Sequence, residues 1–291
     1  MGCRPDQLFW QAVGSDLMSW FDTDTGDRLW YEEHGSGTPI VFIHGWCMSS
    51  AVWEHQREWL ADSFRVITLD LPGHGKSAPY ADDFRIRGCA ADVATLIGQL
   101  GLDNVIIAGW SLGVLVAIET WLLCKERLSG LVLISGTPRF VQSLDFPDGL
   151  SHAEVDGMAK KVQRSIRRAR DGFLTHMFAV GEDESAHVHR LLSSIPVPST
   201  DVALQALEAL AITDIRDCLP AIDIPTLIMH GDRDVICLPK ASDFMTRQIP
   251  KSRQVVFSNC GHVPFLTQSK KFNGCLEEFR GMLSGGTYRQ K

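Results

Sequence analysis

Short, uninterrupted apolar runs punctuate the chain at Ile40 to Ile43, Arg65 to Leu69, Val105 to Ala108, Leu131 to Ile134, Thr226 to Met229 and Gln254 to Phe257. Each is the length of a strand, and each lacks the polar alternation of a sheet with one wet face, so they predict strands buried on both sides. Segments of helical length separate most of them. Strands alternating with helices imply right-handed crossovers and a mostly parallel sheet, whose ligands gather at the carboxyl ends of the strands. Ahead of the first run, Trp20 and Arg28 to Glu32 flank an Asp24-Thr25-Gly26-Asp27 turn, which predicts a hairpin feeding the sheet.

The rhythm stops between about Arg139 and Cys218, where the chain turns helical and charged and carries Pro147, Pro196 and Pro198. The expected organisation is an N-terminal extension (1–19), a core in two parts (20–138 and 219–284), a helical cap inserted between them (139–218) and a short tail (285–291). Within the cap, residues Met158 to Phe173 predict one amphipathic helix. At 100° per residue Met158, Val162, Ile166, Ala169 and Phe173 fall within an arc of about 80°. Lys160, Lys161, Arg164, Arg167, Arg168 and Arg170 occupy the remainder, six cations with no acid among residues 158 to 170.

Composition narrows the function classes. The 291 residues are 45% hydrophobic and 22% charged, as in an ordinary globular protein. A formal charge of −7 disfavours a nucleic-acid partner. The longest strongly apolar stretch, Asn104 to Ile118, is interrupted by Gly109, Ser111 and Gly113 and is too short to cross a bilayer. The eight cysteines contain no Cys-x-x-Cys pair, which suggests neither a zinc site nor a disulfide ladder and fits buried thiols in a reducing compartment. A cytoplasmic monomer without membrane attachment, metal or organic cofactor is the expectation.

Chemistry concentrates where a strand meets a helix at Gly109-Trp110-Ser111-Leu112-Gly113. Small residues two positions either side of Ser111 let strand and helix approach closely and leave its hydroxyl at the helix N-terminus, as a nucleophile elbow requires. Serine is a weak nucleophile at neutral pH and needs a base with a carboxylate to orient it. Downstream, Asp234 follows one apolar run and His262 follows the next, each just beyond a strand's carboxyl end; Asp232 is the rival carboxylate. His44, His74 and His230 sit beside glycines and read as hydrogen-bonded structural groups rather than bases. Two amides suit a developing oxyanion: Leu112 N–H, directly after the serine, and Trp46 N–H in the His44-Gly45-Trp46 loop. The Trp46 indole is expected to wall the acyl pocket.

These motifs, with Asp70-Leu71-Pro72-Gly73-His74-Gly75-Lys76-Ser77, resemble the α/β-hydrolase family over about residues 20 to 284. Within it, Gly-Trp-Ser-Leu-Gly and the cap stretches Ile195 to Asp201 and Asp214-Ile215-Arg216 are similar to carboxylesterases that cleave the methyl ester of pimeloyl-acyl carrier protein in biotin synthesis. The resemblance implies Ser111 as nucleophile, His262 as base, Asp234 as its orienter, Trp46 and Leu112 as the oxyanion hole and Phe173 along the acyl channel. It also implies an acidic carrier protein as partner, with Lys161, Arg164, Arg167 and Arg168 as its dock, while a basic face that is only solvated surface stays open as the other reading. The sequence departs from the family pattern at Val114, where a second glycine is common. A broad small-ester esterase, another cofactor-free hydrolase on the same triad, and a ligand receptor that retains the fold stay open at this point.

Overall fold

A computed structural model describes residues 11–13, 16–80, 83–182 and 185–285. Among the described residues nine strands form one sheet: β1 (Gln11–Val13), β2 (Asp16–Asp22), β3 (Arg28–His34), β4 (Thr38–Ile43), β5 (Phe64–Leu69), β6 (Val105–Trp110), β7 (Leu128–Ile134), β8 (Thr226–Gly231) and β9 (Ser252–Phe257). Their spatial order is β1-β2-β3-β5-β4-β6-β7-β8-β9. The first three strands run antiparallel, and β3 meets β5 antiparallel. All pairings from β5 onward are parallel. Every residue of β6 and β8 is buried, as expected of strands covered on both faces.

The helices are α1 (Glu54–Leu60), α2 (Ile86–Gln99), α3 (Leu112–Cys124), α4 (His152–Arg164), α5 (Ile166–His176), α6 (Ala186–Ser194), α7 (Thr200–Ile212), α8 (Pro239–Gln248), α9 (Pro264–Thr267) and α10 (Ser269–Ser284). Helices α2 and α3 pack on each other, and α1 packs on α10. Helices α4 to α7 interrupt the core between β7 and β8. The two ends of this excursion are tied where Arg139 Nη1 meets Asp214 Oδ2 at 2.5 Å, and Arg216 bonds the same carboxylate at 2.8 Å while reaching Asp145 at 2.9 Å. Arg216 and Arg139 outweigh the opposing effect of partial burial and lower the Asp214 carboxyl to about 2, so the clasp stays charged at neutral pH.

Three features differ from the expectations above. Residues 11–13 and 16–19, set apart as an extension, belong to the sheet. Strand β2 pairs with β3 from Leu17 to Asp22 and sets Trp20 edge-on to Trp30 at 5.2 Å, a cross-strand contact with no periodic signature in so short a segment. The helix expected over Met158 to Phe173 is two helices, broken at Ser165. That residue is extended (φ −171°, ψ 103°), its N–H closes α4 on Lys161 C=O at 3.0 Å, and its hydroxyl accepts the Arg168 N–H at 3.4 Å to open α5. Serine is well suited to such a junction because its side chain substitutes for a backbone acceptor. Arg170, placed by the angular count on the solvent face, is instead buried. Its guanidinium donates to Ile195 C=O at 2.8 Å and Leu192 C=O at 3.4 Å, the carbonyls at the end of α6, where a cation complements the helix dipole.

Candidate active site

Ser111 sits between β6 and α3 with φ +57° and ψ −117°, a conformation that an L-residue adopts only when its surroundings enforce it. The surroundings are built from glycines. A Cβ on Gly109 would lie 2.1 Å from Gly113 C=O, and one on Gly113 would lie 2.5 Å from Ile43 C=O, so neither position accepts a larger residue without opening the turn. A Cβ on Gly45 would stand 3.1 Å from that of Ser111, which shows how closely the loop after β4 approaches the elbow. Val114, the departure from the family pattern, is accommodated opposite Gly136, whose missing side chain leaves room for the valine methyls.

Asp234 and His262 come together as the parallel order β8-β9 requires. His262 Nδ1 donates to Asp234 Oδ2 at 2.7 Å, and both residues are buried. That bond puts the proton on Nδ1, leaving Nε2 of the neutral ring with a lone pair. Nε2 is buried and has no hydrogen-bond partner among the described residues. Burial by itself would raise the Asp234 carboxyl, but His262 and His230 hold it well below the usual carboxylate range. Its other oxygen accepts the N–H groups of Ile236 at 2.8 Å and Cys237 at 3.1 Å. Asp232 plays a different part, since its Oδ1 accepts the Cys260 N–H at 3.3 Å and braces the loop that carries His262.

Trp110, next to Ser111, connects the elbow to the histidine loop. Its indole N–H donates to His262 C=O at 3.0 Å, and the two rings lie 5.4 Å apart. From the other side, the Cys237 thiol lies beside the Ser111 side chain. Burial raises this thiol far above its ordinary pKa, so it stays protonated. Cys237 is absent from the sequence-derived site because it is one cysteine among eight and belongs to no spacing motif.

The backbone of the cap also holds His262. Met177 C=O, just after α5, accepts the His262 N–H at 2.7 Å, and the Glu182 carboxylate accepts the Gly261 N–H at 2.8 Å and the Thr267 hydroxyl at 2.5 Å. In the loop after β4, His44 Nε2 accepts the Leu71 N–H at 2.9 Å, so Nδ1 carries the proton and donates to Gly45 C=O at 2.8 Å. Burial pulls His44 down to about 4 and His74 to about 3, consistent with structural imidazoles that remain neutral.

Trp46 is buried, and its indole N–H donates to Ala203 C=O of α7 at 2.9 Å, fastening the loop to the cap. Leu112 is the first residue of α3, where a backbone N–H has no acceptor within the helix. A groove of about 660 Å³ runs between cap and core, lined by Trp46, Met158, Val162, Ala169, Phe173 and Ile236 together with Lys161, Arg164 and Arg168. Arg167 is exposed but lies outside this lining. A more charged cavity of about 530 Å³ opens around Glu32, Arg57 and Lys76; Ser111 and His262 are in the lining of neither space. Among the described residues, no group of three or more His, Cys, Asp or Glu side chains is placed to hold a metal ion, and no helix is long and apolar enough to cross a membrane.

Comparison with known proteins agrees with this architecture. Residues 38–269 match the profile of a family described as alpha/beta hydrolase fold. The pimeloyl-[acyl-carrier protein] methyl ester esterase of Nitrosomonas europaea is 35% identical over 253 residues, covering 84% of this chain and 97% of the relative. That of Nitrosospira multiformis is 33% identical over 250 residues, covering 84% and 95%. Among solved structures, an esterase from Exiguobacterium antarcticum superposes with a TM-score of 0.83 at 30% identity, covering 89% of this chain and 98% of that one. A bromoperoxidase from Bacillus anthracis gives 0.84 at 29% identity, covering 91% and 99%.

Proposed function

The chain belongs to the alpha/beta hydrolase family and is a carboxylic ester hydrolase, and we propose that it works through an acyl-serine intermediate on the methyl ester of a carrier-bound acyl chain. The observation that carries the catalytic part is the buried His262 Nδ1 to Asp234 Oδ2 bond of 2.7 Å, with Nε2 of the same ring left unpartnered. A base so oriented lacks only a proton donor, and the strained elbow supplies Ser111.

In this reading Ser111 Oγ attacks the ester carbonyl while its proton passes to His262 Nε2. The new imidazolium is stabilised by Asp234, which remains ionised. Negative charge on the former carbonyl oxygen is taken by the Trp46 and Leu112 N–H groups, each worth about 3 kcal/mol in a transition state of this kind. Collapse expels the alcohol, which takes the proton from His262 and leaves the acyl group on Ser111. Water then attacks, giving its proton to His262. The second collapse returns that proton to Ser111 and releases the acid.

The carrier-bound substrate is supported by the named relatives and by the groove. Its apolar wall of Trp46, Met158 and Phe173 suits a methylene chain, and Lys161, Arg164 and Arg168 line the same space. All three cations are exposed, and with Arg167 they take part in no ion pair among the described residues. An acidic carrier would meet them at the groove while its acyl chain lies between cap and core. Growth of a biotin-requiring strain that lacks its methyl esterase tests the whole reading. Rescue by the wild type and not by Ser111→Ala is expected. Rescue by both would overturn the mechanism; rescue by neither, from a protein that hydrolyses soluble methyl esters, would overturn the substrate.

A further inference from the structure

Two histidines share one oxygen of the Asp234 carboxylate. His230, the penultimate residue of β8, is 1% exposed, and its Nε2 lies 3.0 Å from Asp234 Oδ2. The same nitrogen is 2.8 Å from Cys237 C=O. Both neighbours are acceptors, so Nε2 carries a proton whatever the charge of the ring. Nδ1 lies 2.5 Å from the Ser242 hydroxyl of α8, which donates to it when the ring is neutral. The ring N–H is hydrogen-bonded to Cys237 C=O, and Asp234 Oδ2, the atom that orients His262, stands beside it as a second acceptor. Asp234 Oδ1 accepts the Ile236 and Cys237 amides and Oδ2 accepts the His262 N–H, with His230 Nε2 3.0 Å from that same Oδ2.

We propose that His230 is a positioning residue for ester hydrolysis, setting the orientation and basicity of His262 through their common partner Asp234. The inference rests on His262 being the catalytic base. Each N–H bonded to a carboxylate draws on its negative charge, and the charge remaining on Oδ2 is what favours an imidazolium at His262. With His230 on the same oxygen, Asp234 favours that imidazolium less than an undivided carboxylate would. A base that must accept the Ser111 proton has to be neutral when the substrate binds. The direction of the second contact matters too. His230 comes from β8 and His262 from the loop after β9, so Oδ2 is held between two rigid neighbours rather than swinging with its loop.

The groups around this pair leave Asp234 as the dominant charge. Asp234 and Cys237 belong to the loop that follows His230, Ser242 faces it from α8, and His262 approaches from the loop after β9. The Cys237 thiol is uncharged because burial keeps it protonated. Around His262, Trp110 and Phe173 present rings, and the nearby carboxylates are already bonded elsewhere, Glu182 to Gly261 N–H and Asp232 to Cys260 N–H.

The test is the pH profile of kcat/KM on a small soluble methyl ester for wild type, His230→Leu and His230→Gln. Removing the donor with leucine should strengthen the remaining Asp234 to His262 bond and move the acid limb up by about one pH unit. Glutamine, whose amide N–H can reach the position of Nε2, should return the limb towards the wild type. A folded leucine variant with an unmoved limb, or a glutamine variant shifted as far as leucine, would overturn the proposal, since a residue that only supports the fold changes the plateau and not the limb. Should the leucine variant fail to fold, ¹⁵N NMR of the wild type still decides: His230 Nε2 must stay protonated throughout the active pH range, and an unprotonated Nε2 refutes the role. Retained turnover in His262→Ala would instead overturn the underlying assignment of the base.

Discussion

The Phe173 ring of the cap meets the Trp46 indole of the core edge to face, with centroids 5.2 Å apart and planes at 89°. The same phenyl ring stands 6.4 Å from the His262 imidazole. One side chain from the inserted helices therefore borders both the wall of the groove and the base. Aromatic pairs of this geometry contribute about 0.5 to 1.5 kcal/mol beyond burial. Phe173→Ala should accordingly lower kcat/KM on short methyl esters by about 3- to 10-fold, with a smaller loss on bulkier acyl groups that refill the space. A series of acyl lengths measures this, and a uniform loss across the series would remove Phe173 from the channel.

The two candidate carboxylates separate by their partners. Asp234→Asn keeps the shape of the site but replaces the charge facing His262, and kcat should fall by about 10⁴-fold. Asp232→Asn retains an acceptor for the Cys260 N–H and should cost less than about 10-fold. Steady-state kinetics on one soluble ester ranks them; the opposite ranking would transfer the orienting role to Asp232.

Charge reversal separates docking from chemistry. Arg164→Glu with Arg168→Glu should lower kcat/KM for a carrier-linked methyl ester by about 10-fold or more, with the loss shrinking as salt rises, while a free methyl ester is hydrolysed as before. Arg167→Glu, outside the groove lining, should have the smaller effect. Equal losses on both substrates would mean that the cap itself had been damaged.

Far from the site, Asp92 is buried and accepts the Tyr80 hydroxyl. Burial pushes its carboxyl up to about 7; the Tyr80 bond opposes that rise, and Asp27 and Asp24 add to it. The native state then binds a proton that the unfolded chain has released, so stability from this residue is complete below about pH 4 and is lost as pH rises through 7. Asp92→Asn stays neutral and still offers Tyr80 an acceptor. Its stability relative to the wild type should grow between pH 5 and pH 8 by on the order of 2 to 4 kcal/mol, as read by urea unfolding. A difference independent of pH would refute the assignment.

How much of this was legible in the residues follows from the range over which each signal acts. The buried strands announce themselves because a doubly covered strand must be apolar throughout, and the elbow because only glycine fits at 109 and 113 beside Gly113 C=O and Ile43 C=O. Asp234 and His262 could be singled out because a parallel sheet presents the loops after its strands at one edge. These are local rules, and the sequence carries them locally.

What tertiary structure decided is which local option each residue took. Ser165 satisfies the helical apolar period as well as any small residue, yet it also ends one helix and begins another. Arg170 has the angular position of a solvent-facing cation, and only the nearby end of α6 offers carbonyls that draw it inside. His230 and His262 lie 32 positions apart, a separation that says nothing about a shared partner. The adjacent strands β8 and β9 bring both rings to one carboxylate oxygen, His262 Nδ1 at 2.7 Å and His230 Nε2 at 3.0 Å. Hydrophobic pattern determines the strands and helices because burial acts on each residue separately; hydrogen-bond partners depend on distances between segments, and those exist only once the sheet has assembled.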